Sequence, residues 1–164
     1  MTQDNWLPAP IEKVYEALTV LADKRYELSD DKSSLKIFSS SGNKFYTLTY
    51  DPASRAMMSN DNAAFFKDEV SYPMVAYLML LGELDYPESL LAPFAGIAWK
   101  DLLQKHKKKG KNDYTAGVAE VLENLKVAGH DTAKIVEQVE EIFQALSKIT
   151  LAKLGPKKFP PRGY

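Results

Sequence analysis

The longest purely apolar stretch of the chain covers residues 74–81, where no side chain is charged or strongly polar. Ser71 and Pro73 precede it and Gly82 follows it. A serine can accept a hydrogen bond from an N–H of the first helical turn. A proline is tolerated in that turn because the N–H it lacks would have no partner there. A glycine takes the left-handed conformation that ends helices. The pattern predicts a short helix with no polar face. Such a helix must be enclosed on all sides, so the rest of the chain is expected to wrap it.

The flanking patterns supply the wrapping. Trp6 and Leu7 form an apolar anchor. After Pro8 and Pro10, the residues Ile11, Val14, Tyr15, Leu18, Leu21 and Ala22 recur at helical spacing, with Glu12, Lys13, Glu16 and Asp23 on the other face. This predicts an N-terminal helix over residues 9–27. Residues 29–34 are a polar turn. Residues 35–39, 45–50 and 55–59 predict a three-stranded antiparallel β-meander. Its first turn has Gly42 free to take a positive φ. Its second has Asp51 and Pro52 in type I order. The aromatic and β-branched residues of the middle strand suit a pleated, half-buried surface. A meander this small needs a helix against one face.

Asn60, Asp61 and Asn62 break the pattern, and residues 63–66 are expected to dock on the core. Asp85 followed by Glu88 predicts a helix start. Pro93 interrupts that helix, and a second piece over residues 95–109 puts Trp99, Leu102, Leu103 and His106 on one face. Asn112 or Asp113 can cap the next helix, which carries Val118, Val121, Leu122 and Leu125 inward. Gly129 stops it and Asp131 caps the last one, with Ile135, Val139, Ile142, Leu146 and Ile149 alternating at spacings of four and three. Together these predict an αα-hairpin over residues 113–154. The last spacing also fits a coiled-coil partner. Pro160 and Pro161 forbid a further helix. The expected fold is one α+β domain over residues 1–154, mainly helical in its C-terminal half, followed by a basic, Pro-rich tail over residues 155–164.

A chain of 164 residues can bury roughly 70% of its unfolded surface without staples. It has no cysteine, which excludes disulfides, thiolate zinc sites and cysteine nucleophiles. The first residues lack the basic flank and apolar core of a secretory signal. The apolar stretch is far shorter than the ~20 residues that span a membrane. A cytoplasmic location away from membranes is therefore expected. The net charge of −1 is unevenly spread: residues 100–111 carry +5, residues 147–164 carry +5, and the remainder carries −11. Such asymmetry points to an acidic partner for the two basic segments.

Lys105, Lys107, Lys108, Lys109 and Lys111 surround His106 and Gly110 and form a patch suited to phosphates or acidic groups. The same cations also suit a helix C-terminus, where each interacts with the dipole by about 0.3–1 kcal/mol. Lys157, Lys158 and Arg162 alternate with Phe159 and Tyr164, an order that can hold phosphates and stack on bases, or simply stay solvated. Residues 39–44 look like a phosphate cradle but lack the glycine–lysine spacing that builds one. The acidic pairs Asp30–Asp31, Asp68–Glu69 and Glu140–Glu141 show no arrangement that converges on a metal. Residues 60–62 lack the spacing of a calcium loop. Two histidines, His106 and His130, exclude a three-His zinc site, and neither lies near a nucleophile-elbow motif. Acid–base chemistry by a carboxylate, Lys or Tyr stays open. No cofactor is expected.

Residues 35–81 resemble the SWIM-type zinc finger. In that family a hairpin with a Ser-x-Gly turn runs into a Cys-x-Cys strand, and a Cys-x-His opens a short apolar helix. Here the Ser40, Ser41, Gly42 turn and the Tyr46, Thr47, Leu48 strand match the hairpin. Met57, Met58 and Ser59 stand where the first cysteines would be. Tyr72, Pro73 and Met74 stand where Cys-x-His would be. All the ligands are missing. The resemblance implies a ββα core packed by apolar side chains instead of metal, with a bias toward nucleic-acid or protein binding. The leading expectation is a non-enzymatic binding module that meets nucleic acid or an acidic protein through the lysine run and the tail. The alternatives are a protein–protein adaptor and a hydrolase-type enzyme whose carboxylates converge only in the fold.

Overall fold

The computed structural model describes residues 4–162. Residues 1–3 and 163–164, including Tyr164 of the aromatic-basic tail, lie outside the described residues. The first helix, α1 (Glu12–Ala22), is shorter than its apolar pattern predicts. Lys24 adopts a left-handed φ of 53°. The Arg25 N–H then bonds the Val20 carbonyl at 3.1 Å and the Lys24 N–H bonds the Leu21 carbonyl at 3.2 Å. This is the Schellman closure of a helix, here made on a lysine. It releases the next residues to form a strand, β1 (Tyr26–Leu28).

The meander therefore has more strands than the sequence pattern predicts. The strands β2 (Ser34–Phe38), β3 (Phe45–Asp51) and β4 (Ala56–Ser59) follow β1. A last strand, β5 (Ala152–Lys153), completes one five-stranded sheet in sequence order. The first four strands are antiparallel, with Leu35 opposite Leu48 and Ile37 opposite Tyr46. The fifth runs parallel to β4. Runs as short as Tyr26–Leu28 and Ala152–Lys153 are too brief for alternation to signal a strand, so their partners define them. Alternation is clean in β3, where Tyr46, Leu48 and Tyr50 are buried. Every residue of β4 is buried.

The apolar helix α3 (Tyr72–Leu80) is the hub. Residues 74–79 are at most 4% exposed. The helix packs on α1, β3 and β4, and the Tyr77 hydroxyl donates to the Lys32 carbonyl at 2.7 Å. Gly82, at φ +77°, ends the run as predicted. Ser71 does not cap it. Its hydroxyl instead donates to the Asp61 carboxylate at 2.6 Å. That carboxylate caps a short helix the sequence pattern did not predict, α2 (Asn62–Lys67).

A 3-10 turn (Glu88–Leu90) leads into α4 (Leu91–Phe94), and α5 (Trp99–Lys105) follows. The predicted helix over 95–109 is cut at both ends. Gly96 has φ +76°, and Lys109 and Gly110 have φ of 52° and 77°. The last two residues form a tight turn in which Lys108 and Lys111 exchange backbone hydrogen bonds at 2.8 and 3.0 Å. Positive φ at both central positions is the mark of a hairpin turn, not of a helix stop. The helices α6 (Tyr114–Val127) and α7 (Thr132–Ser147) are capped by Asp113 and Asp131. Ile135, Val139, Ile142 and Leu146 face the core. Their predicted extension to residue 154 gives way to β5, because the backbone N–H groups of Ala152 and Leu154 are taken by the carbonyls of Arg55 and Met57.

Phe94 is fully buried, with its ring edge-on to Tyr15 at 5.8 Å. Replacing it with alanine is expected to lower the unfolding free energy by about 3–5 kcal/mol. Phe159→Ala, at a side chain 81% exposed, is expected to stay within about 0.5 kcal/mol of wild type in the same urea titration.

Candidate functional site

The polar face of α1 does not meet solvent. Lys13 and Glu16, one helical turn apart, are only 3% and 5% exposed. They line a cavity of about 340 Å³, whose wall also includes the β2–β3 turn, the first turn of α3 and α5. The Schellman closure after α1 turns Arg25 into the same space. One terminal nitrogen of its guanidinium donates to the Phe38 carbonyl. Its Nε has no hydrogen-bond partner, and the Asp23 carboxylate lies 3.6 Å away, beyond hydrogen-bonding reach. Glu16 Oε1 likewise has none. Buried polar atoms are nearly always paired, so two orphans in one cavity stand out.

Asp61 lines the cavity too, but its oxygens are committed. They accept from the Ala64 N–H at 2.9 Å and from the hydroxyls of Ser59 and Ser71 at 2.5 and 2.6 Å. Asp61 is therefore a helix cap and a clamp between β4 and α3. Glu16 is the carboxylate left for other work. Burial pushes its pKa up to about 7, against the opposing pull of Lys13 and Arg25 and with help from Asp61 and Glu12. Lys13 is raised. Burial pulls it down, but Glu16 and Tyr114 outweigh that loss. Its ammonium sits 4.2 Å from the centre of the Tyr114 ring. Burial holds the Tyr72 hydroxyl well above the ordinary phenol range, reinforced by Tyr46 and Glu16. A carboxyl that titrates near neutrality, beside a fixed cation in a cleft, is the physical signature of a functional site. This site can hold an oxyanion and exchange a proton.

In charged groups the lining holds Lys13, Arg25, Lys44, Lys100 and Lys107 against Glu16 and Asp61. Lys107 is thus the one residue of the lysine run that reaches the cavity. Lys105 pairs with Glu120 at 2.7 Å, and His106 meets the same oxygen at 3.0 Å. Both hold the Glu120 carboxyl below its usual range. Lys108 pairs with Asp113 at 3.4 Å. Lys109 and Lys111 are exposed in the hairpin turn. In the tail, Lys157 pairs with Asp68 at 2.6 Å and donates to the Phe65 carbonyl at 2.9 Å, while Lys158 and Arg162 are exposed. Pairs this open to solvent are screened and contribute little to stability. The tail reaches α2, with the Phe159 ring 4.8 Å from that of Phe65 and tilted by 37°, and Lys67 of α2 lies 5.7 Å from the Tyr114 ring at the start of α6. Met57, Ser59 and Met74, at three of the zinc-finger ligand positions, are buried. Among the described residues no acidic or histidine cluster is fit to hold a metal, and no helix is long and apolar enough to cross a membrane.

Sequence patterning put Lys13 and Glu16 on the face of the helix opposite its apolar stripe and gave neither Arg25 nor Tyr72 a role in a polar site. A Lys–Glu pair at i, i+3 usually means a surface ion pair. Only the segments that close over α1 reverse that meaning.

Glu16 fixes a pH dependence of stability. Its pKa is raised on folding from 4.5 to about 7. Between these values the folded state binds more protons than the unfolded state, so lowering the pH stabilises the fold. Thermal denaturation of Glu16→Gln is expected to show a higher Tm than wild type at about pH 8. The gap should shrink as pH falls to about 5.5, because the glutamine mimics the neutral acid.

Neither the curated proteins nor the solved structures contain a match to the chain. Residues 6–152 match a family described as Uncharacterised conserved protein UCP014422. That match spans most of the length, and the chain belongs to this family.

Proposed function

We propose that the protein binds a small oxyanion in the cavity at Lys13, Glu16 and Arg25. The observation that supports this reading is that two residues lining one cavity, Glu16 and Arg25, each keep a buried polar atom without a hydrogen bond, Oε1 and Nε. A buried polar group without a partner costs about 1–3 kcal/mol. A ligand that satisfies both recovers that cost. The lining carries more cations than carboxylates, and aromatic walls at Tyr46, Tyr72 and Trp99 lower the local dielectric. Lys107, at the rim, extends the positive field outward, which raises the local concentration of anions.

Sulfate is a suitable probe because it keeps its charge across the neutral range. Calorimetric titration of the full chain at constant ionic strength, with chloride as control, is expected to give saturable binding. Lys13→Met should weaken it at least tenfold, which corresponds to about 1.4 kcal/mol. Equal response to chloride, or an unchanged Kd in Lys13→Met, refutes the reading.

A nucleic-acid surface is the second reading. It is favoured by the docking of the tail on α2, where Phe66 and Phe159 are 71% and 81% exposed beside Lys67 and Lys158. Stacking on such rings is worth about 1–3 kcal/mol per base. If Lys67, Lys109, Lys111 and Lys158 each meet a phosphate of a single strand, log K should fall against log salt with a slope of about −3. A flat salt dependence removes this reading.

A further inference from the structure

We infer that the cavity takes up its oxyanion together with one proton, and that Glu16 carries that proton. The inference rests on the cavity being an oxyanion site. Its geometry is that of a carboxyl enclosed with two fixed cations. Glu16 is 5% exposed, and its Oε1 has no partner. Lys13 stands one turn before it on the same helix face, and Arg25 enters from the segment after α1. An anion attracted by these cations must lie beside Glu16. Two negative charges at such range in a closed space repel strongly, and like charges favour the protonated form of a carboxyl.

The other groups around Glu16 leave it as the proton acceptor. Glu12 lies on its own helix, and Asp61 is saturated by three hydrogen-bond donors. Tyr72 on α3 already holds its proton, kept there chiefly by burial. From the other walls come Lys44 and Tyr46 of the hairpin, Lys100 of α5, Lys107 of the loop and Tyr114 at the start of α6. None of these is a carboxyl, so the walls facing Glu16 add no acid of its kind. With burial already pushing Glu16 to about 7, the empty site is partly ionised at neutral pH. Binding completes its protonation. The proton comes from solvent and returns there on release.

The coupling predicts that affinity falls as pH rises. Because sulfate does not titrate, any pH dependence belongs to the protein. The sulfate Kd of the wild-type chain is expected to rise about tenfold between about pH 6 and pH 8.5. Calorimetry in buffers of different ionisation enthalpy should show uptake approaching one proton per sulfate at about pH 8. Glu16→Gln, permanently neutral, should lose both the slope and the proton uptake while still binding sulfate. His106→Gln, next in the chain to Lys107 of the lining, should keep the wild-type slope. A Kd that is the same at both pH values in wild type overturns the coupling and leaves the oxyanion site standing. A slope that survives in Glu16→Gln overturns it as well. No saturable sulfate binding at pH 6 refutes the oxyanion site itself and the coupling with it.

Discussion

The constraint on which everything else depends is the sealing of α3. A helix without a polar side can be satisfied only by protein on every side, and here α1 and the sheet supply most of it. Covering α3 places α1 at the centre as well. It is packed by α3, α4, α6 and α7, and all of residues 13–21 are buried. The polar stripe of α1 is therefore carried inside with the rest. Taking a charge out of water costs several kcal/mol even after relaxation. For Lys13 the interactions with Glu16 and Tyr114 outweigh that cost, whereas for Glu16 the pull of Lys13 and Arg25 offsets only part of it. The charged cavity is a by-product of packing that the fold retains at a cost in stability.

Two carboxylates of that cavity show how local structure divides labour. Asp61 precedes a helix and faces two serines, so each of its oxygens is occupied. It holds β4, α2 and α3 in register. Glu16 sits inside a continuous helix, whose own N–H groups are already spent, and has no capping role open to it. Its Oε1 is buried without a hydrogen bond, and the residue lines the cavity. The same residue chemistry is structural in one place and available in the other because of where the backbone donors lie.

The hub, the hairpin with Gly42 at its turn, the caps at Asp113 and Asp131 and the inward face of α7 were legible in the sequence, because each rests on local periodicity or on one residue's backbone preference. What was not legible depended on distant partners. Tyr26 and Glu27 fell inside the helix expected over residues 9–27, and the left-handed Lys24 ends that helix before them. Ala152–Lys153 has no strand signal, being two residues of a parallel pairing. The lysine run drew attention by composition, yet Lys105 and Lys108 are engaged by Glu120 and Asp113. Glu16 and Arg25 drew none, since burial is decided by the segments that close over them.

The parallel strand at the end of the chain has a consequence for biosynthesis. β4 is made early, but the strand that covers its edge lies about a hundred residues further along, and closing so long a loop is slow compared with forming hairpins and helices. During translation the first four strands must wait with an open edge, the feature most prone to pair with a neighbouring chain. The nascent protein is thus most vulnerable to aggregation in the interval before residues 151–154 leave the ribosome, and a chain that stops short of them leaves that edge without its strand.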